Sequence, residues 1–139
     1  GLRTVAHAGE EGDAGYVWEV LDALRVDRID HGVRAIEDDR LVRRLVADRI
    51  PLTMCPLSNV RLKVVANLAM HPIVYLLRRG VRVTVNSDDP AYFGGYLDDV
   101  VDALRAQFGL TDADVAQLAR NSIEASFATD EEKARLLGE

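Results

Sequence analysis

One pattern constrains this chain more than any other. Four short apolar runs rich in Val, Ile and Thr, at residues 2–6, 28–30, 50–54 and 81–85, alternate with stretches of helical periodicity at 15–24, 38–47 and 67–78. Each run is too short for a helix and long enough for a buried strand. Strands alternating with helices predict βα units and a parallel sheet. Within 67–78, Leu68, Ile73, Leu76 and Leu77 share a broad apolar face, so one helix is expected there. Two amphipathic stretches, at 97–108 and 112–127, and a closing turn at 130–137 follow the fourth strand, and Thr111 with Asp114 has the spacing of a capping box. A closed (β/α)8 barrel takes about 250 residues. Four units in 139 residues therefore make either an open doubly wound sheet or half a barrel.

The polar residues between these elements recur at one place. After the four strands stand "HAGE", "DHG", "CPLSN" and "NSDDP". In parallel α/β folds the C-terminal strand ends share one face, where ligand sites form. His7 and Glu10 are three residues apart, with Gly9 between them to let both side chains turn into one cavity. A plainer reading remains open: His7 ends a strand and Glu10 begins a helix, where a carboxylate is favourable. His31 in "DHG" is likewise a metal-site residue or a satisfied turn imidazole. Asp88 and Asp89 repel one another unless a cation or donors are near, and their side chains diverge, so one suits a metal and the other a ligand. The alternative is that one of them caps the turn before Pro90. Cys55 reads as a small buried hydrophobe, Ser58 and Asn59 as turn residues, and His71, just before Pro72, as structural. Tyr16 and Trp18 read as packing residues, and residues 91–95 as an aromatic lid or a tight loop.

Composition narrows the classes. The net charge of −6 is spread along the chain without a basic stripe, which argues against nucleic acid as a partner. Apolar stretches are broken by Arg or Asp before membrane-spanning length, and no basic-then-apolar leader opens the chain. The single cysteine excludes an internal disulfide and fits a reducing compartment, so a cytoplasmic protein is expected. The 48% hydrophobic content suffices for one core, and residues 1–139 read as one domain. The chain runs almost at once into a strand without an initiating methionine, and a fragment is expected.

Taken in order, "HAGE", "RIDHGVRAIED", "PLTMCPLSN" and "VTVNSDDPAYFGGY" resemble the C-terminal half of the adenosine and adenine deaminase family, from about Leu2 to Phe127. The pair "CPLSN" and "NSDDPAYFGGY" is closer to the adenine-specific branch. The resemblance implies the C-terminal half of a (β/α)8 barrel with one catalytic zinc. It implies that His7 and Asp88 are zinc ligands, that Glu10 protonates the purine at N1, that His31 orients or deprotonates the attacking water, and that Asp89 hydrogen-bonds N7. The implied reaction is hydrolytic conversion of adenine to hypoxanthine, with adenosine to inosine as the alternative.

The family's remaining zinc ligands come from a His-x-His motif that these residues do not contain. A catalytic zinc ordinarily has about three protein ligands, and the resemblance assigns two here. The missing N-terminal half is therefore an expected partner. Alone, the chain is expected to be inactive, and a non-catalytic half barrel is the competing reading. A third possibility is an open α/β domain binding another ligand at the same face.

Overall fold

The computed structural model describes residues 1–139. Four parallel strands, β1 (Val5–Ala8), β2 (Arg28–His31), β3 (Leu52–Met54) and β4 (Val83–Val85), lie side by side in chain order. Sequential neighbours in a parallel sheet require a crossover between each pair, and the helical stretches provide it. The first crossover is α1 (Ala14–Glu19) with a π-turn, Val20–Leu24, ended by Arg25 at φ 51°. The second is a 3-10 turn, Val33–Glu37, and α2 (Asp39–Ala47). The third is α3 (Pro56–Arg61), a 3-10 turn, Leu68–Met70, and α4 (Ile73–Arg78). After β4 come α5 (Pro90–Phe93), α6 (Leu97–Phe108), α7 (Asp112–Ala125) and α8 (Asp130–Leu137).

Strand register sorts the side chains into two unlike faces. Ala6, Ile29, Leu52 and Val83 form one row across the sheet. Ile29, Leu52 and Val83 are completely buried, in one core with Val17, Leu41, Leu45, Ile73, Leu76 and Leu104 from the helices. Each such side chain contributes roughly 1.5–3 kcal/mol on burial. The adjacent row, His7, Asp30, Thr53 and Thr84, is polar throughout. A doubly wound sheet buries both faces under apolar helices. A polar inner row instead suits the interior of a barrel, and the sheet has the architecture of a partial one. At the edge, α7 is tied to β4 by Asn121, whose Nδ2 donates to the Val83 carbonyl at 2.8 Å, and by the Arg82–Glu124 ion pair at 3.1 Å.

Four local expectations need correction: residues 130–137 form not a closing turn but helix α8, started by a capping box between Thr129 and Glu132, and three more concern the strands and the third crossover. Strand β1 begins at Val5, where pairing with Arg28 begins, and Leu2 is exposed. Residues 67–78 are not one helix, because Pro72 biases His71 to extended backbone (φ −73°, ψ 128°) and breaks the segment before α4. Ser58 and Asn59 lie not in a turn but in α3, which starts with Pro56 at its first position and buries both side chains. The capping box at Thr111 and Asp114 forms as expected.

Candidate active site

The C-terminal ends of the strands carry the chemistry because the backbone bends sharply there. Gly9 (φ 68°) and Gly32 (φ 67°) follow β1 and β2, and each passes too close to its neighbours for a side chain. A Cβ on Gly9 would lie 2.7 Å from Val17 Cγ2, and one on Gly32 would lie 2.7 Å from Leu52 Cδ2. Two of the residues singled out by sequence, His31 (φ 67°) and Asp88 (φ 61°), hold left-handed backbone without being glycine. Such conformations cost free energy and persist where the surroundings enforce them, often at functional sites.

His31 is buried, and its Nδ1 is 3.3 Å from Glu10 Oε1. Both groups meet Asn59, whose Nδ2 is 3.1 Å from Glu10 Oε1 and 3.3 Å from His31 Nδ1. The two hydrogens of that amide are enough for both acceptors. On its other side, Asn59 Oδ1 is 3.1 Å from His71 Nε2, and His71 Nδ1 accepts from the Ile73 backbone N–H at 3.2 Å. Burial pushes the pKa of His71 down from 6.5 to about 4, and the nearby His31 adds to the effect. His71 is therefore neutral near pH 7.

His7 lies beside this group, its ring centroid 5.0 Å from that of His31. Its Nδ1 is 3.4 Å from Asp30 Oδ2, while Asp30 Oδ1 accepts from Thr53 Oγ1 at 2.6 Å. A carboxylate behind one ring nitrogen fixes the tautomer and leaves the other nitrogen for a metal. Asp88 accepts from Ser58 Oγ at 2.6 Å through Oδ2. Asp89 caps α5, accepting from the Tyr92 N–H at 3.3 Å through Oδ1, so the plain reading of one of the two aspartates holds for Asp89.

The donor set fits a divalent metal. One ligand atom each from His31, Cys55 and Asp88 lies within 4.8 Å of the others. That trio differs from the pair implied by resemblance, because it includes Cys55 and leaves out His7. Cys55 is the weakest of the three: its Sγ is 3.8 Å from the Thr53 carbonyl, and its thiol is pushed up to about 12, first by burial and then by the charges of Asp88, Glu10 and Asp30. A protonated thiol is a poor ligand and nucleophile. His7 lies outside this trio, and the Asp30 carboxylate beside its Nδ1 leaves its other ring nitrogen available to a ligand.

The sequence reading missed Asp30, Ser58, Asn59 and His71. Asp30 stands inside the quoted "DHG", and alternation with Ile29 could have placed it on the face opposite the core. Nothing local indicates that Asn59 and His71 meet, since their contact depends on how α3 and the chain before α4 pack. No helix is long and apolar enough to cross a membrane.

The sequence model of the adenosine deaminase family matches residues 1–139. An adenine deaminase of Hahella chejuensis is 58% identical over 137 residues, covering 99% of this chain and 41% of that protein. One of Streptomyces coelicolor is 60% identical over 135 residues, covering 97% and 40%. The chain thus spans about 40% of the length of the curated relatives it matches. The crystal structure of adenine deaminase from Arthrobacter aurescens superposes with TM-score 0.96 at 56% identity, over 99% of this chain and 42% of that one. An amidohydrolase from Burkholderia ambifaria with bound Zn gives 0.89 at 28% identity, over 99% and 39%.

Proposed function

The chain belongs to the adenosine deaminase family, and from that premise we propose that residues 1–139 are the C-terminal part of one barrel domain that hydrolyses adenine to hypoxanthine and ammonia. The observation that carries this reading is the presence of Glu10, His31 and Asp88, each within hydrogen-bonding distance of a neighbouring side chain, at the C-terminal ends of β1, β2 and β4 of one parallel sheet. Adenine is preferred over adenosine as substrate because the relatives at 56–60% identity bear the name adenine deaminase. Purine salvage in the cytoplasm is the corresponding setting, and no nucleic acid or membrane partner is assigned.

In this reading His7 and Asp88 hold a zinc ion, with the remaining ligands supplied by the N-terminal half of the barrel. When bound, the metal lowers the pKa of a water towards neutrality and so provides the nucleophile for C6 of the purine. Glu10 delivers a proton to N1, which draws electrons from C6 and readies it for attack. His31, held from behind by Asn59, orients the attacking water. Asp89 hydrogen-bonds N7 and fixes the ring in the site. Loss of ammonia leaves the 6-oxo purine.

The test is metal content and ammonia release, measured on this chain alone and on the protein with its complete coding sequence, with adenine and adenosine in competition. The expected result is about one zinc and a preference for adenine in the complete protein only. Preference for adenosine would replace the substrate and keep the chemistry. A complete protein that binds no metal and releases no ammonia from either substrate would overturn the deaminase reading.

A further inference from the structure

We propose that His71 and Asn59 are positioning residues that aim the Glu10 carboxyl, through a hydrogen-bond chain anchored on the Ile73 backbone N–H. The inference rests on Glu10 being the proton donor of the proposed reaction. It starts at a group whose direction is not negotiable: a backbone N–H only donates, so His71 Nδ1, 3.2 Å away, is the accepting nitrogen. A neutral imidazole with an accepting Nδ1 carries its proton on Nε2. That nitrogen then donates to Asn59 Oδ1 at 3.1 Å, which settles the orientation of the amide. With Oδ1 committed, Nδ2 faces Glu10 Oε1 at 3.1 Å as a donor. Oε1 must accept, and the acid proton of Glu10 is left on Oε2.

The chain is well placed to hold its geometry. Asn59 is fully buried and His71 is 3% exposed, so water does not compete for their hydrogen bonds. The hydrogen bonds of the two side chains run to Glu10, to His31, to each other and to the Ile73 N–H. They act through Glu10, and through His31, whose Nδ1 takes the second amide hydrogen at 3.3 Å.

The test uses the protein with its complete coding sequence and three variants. Asn59→Asp keeps the shape but sets an oxygen against Glu10 Oε1, and kcat is expected to fall about 100-fold, the scale of a misplaced reacting group, with metal content and KM unchanged. His71→Leu removes the donor to Asn59 and is expected to show the same split between kcat and KM. His71→Gln places an amide N–H where Nε2 was and is expected to restore kcat to within about threefold. A purely packing role for His71 would instead make Leu the milder change. In parallel, imidazole nitrogen chemical shifts report the His71 tautomer without reference to activity. Wild-type kcat in Asn59→Asp, equal losses in the Leu and Gln variants, or a proton on Nδ1 would each overturn the proposal. A wild-type protein that deaminates neither purine while showing the Nε2–H tautomer would overturn the functional reading, and the positioning role with it, but would leave the hydrogen-bond chain standing.

Discussion

Acid should weaken this fold through His71 before it titrates the surface carboxylates, and substitution of that one residue should remove the effect. The imidazole is 3% exposed and accepts a backbone N–H through Nδ1, so a proton has no vacant, hydrated nitrogen to occupy. Its pKa falls from 6.5 to about 4 in the folded state, chiefly by burial. Above pH 6.5 His71 is neutral in both folded and unfolded chains and does not affect the balance. As pH falls below 6.5 the unfolded chain takes up the proton and the folded one does not, so stability is lost until about pH 4, where the folded state also protonates. The whole difference amounts to about 3 kcal/mol, of which about 2 kcal/mol is lost by pH 5. The carboxylates held below their usual range, including Asp27, Asp38, Asp39, Asp114 and Glu132, lose their contributions at lower pH and do so equally in any His71 variant. The assay is urea unfolding of wild type and His71→Gln at pH 7.5 and pH 5. The Gln variant, which carries no titrating group, should lose about 2 kcal/mol less than wild type between the two values. Equal losses in the two proteins would refute the picture of a buried neutral imidazole.

Glu10→Gln in the complete protein should retain metal and lose activity by roughly 100-fold or more, the usual contribution of a general acid; zinc analysis beside a rate assay checks both halves. Asp88→Ala should lose metal, whereas Asp89→Ala should keep it and weaken purine binding, which metal content and substrate titration would separate. Equal metal loss from both would show that the two carboxylates do not divide their work as proposed. Asp30→Ala removes the carboxylate behind His7 and should weaken metal affinity by about 10- to 100-fold, measured by competition with a chelator. Unchanged affinity would mean that His7 is not oriented through its Nδ1.

The short apolar runs and their polar ends were legible because a strand buried on one side leaves a local periodic trace, and because chain reversal demands Gly, Asp, Asn or Pro nearby. His7, Glu10, His31, Asp88 and Asp89 could be singled out from that trace alone, and so could the capping box at Thr111. Placing the break at Pro72 required weighing one backbone rule against a longer apolar pattern, and the backbone rule prevailed. The partners of the site residues could not be read in the same way. Glu10 and Asn59 are 49 positions apart, His31 and Asn59 are 28 apart, and each pair meets only because β1, β2 and β3 stack in parallel register with α3 above them. The sequence by itself determined which residue types stand at each strand end and on which side of each strand they begin. Only the tertiary structure decided that His71 orients Asn59, that Asp30 backs His7, and that His31 and Asp88 take left-handed backbone. The physical reason is range: periodicity and turn chemistry act over a few neighbouring residues, whereas a hydrogen bond between side chains on different βα units depends on how whole elements pack.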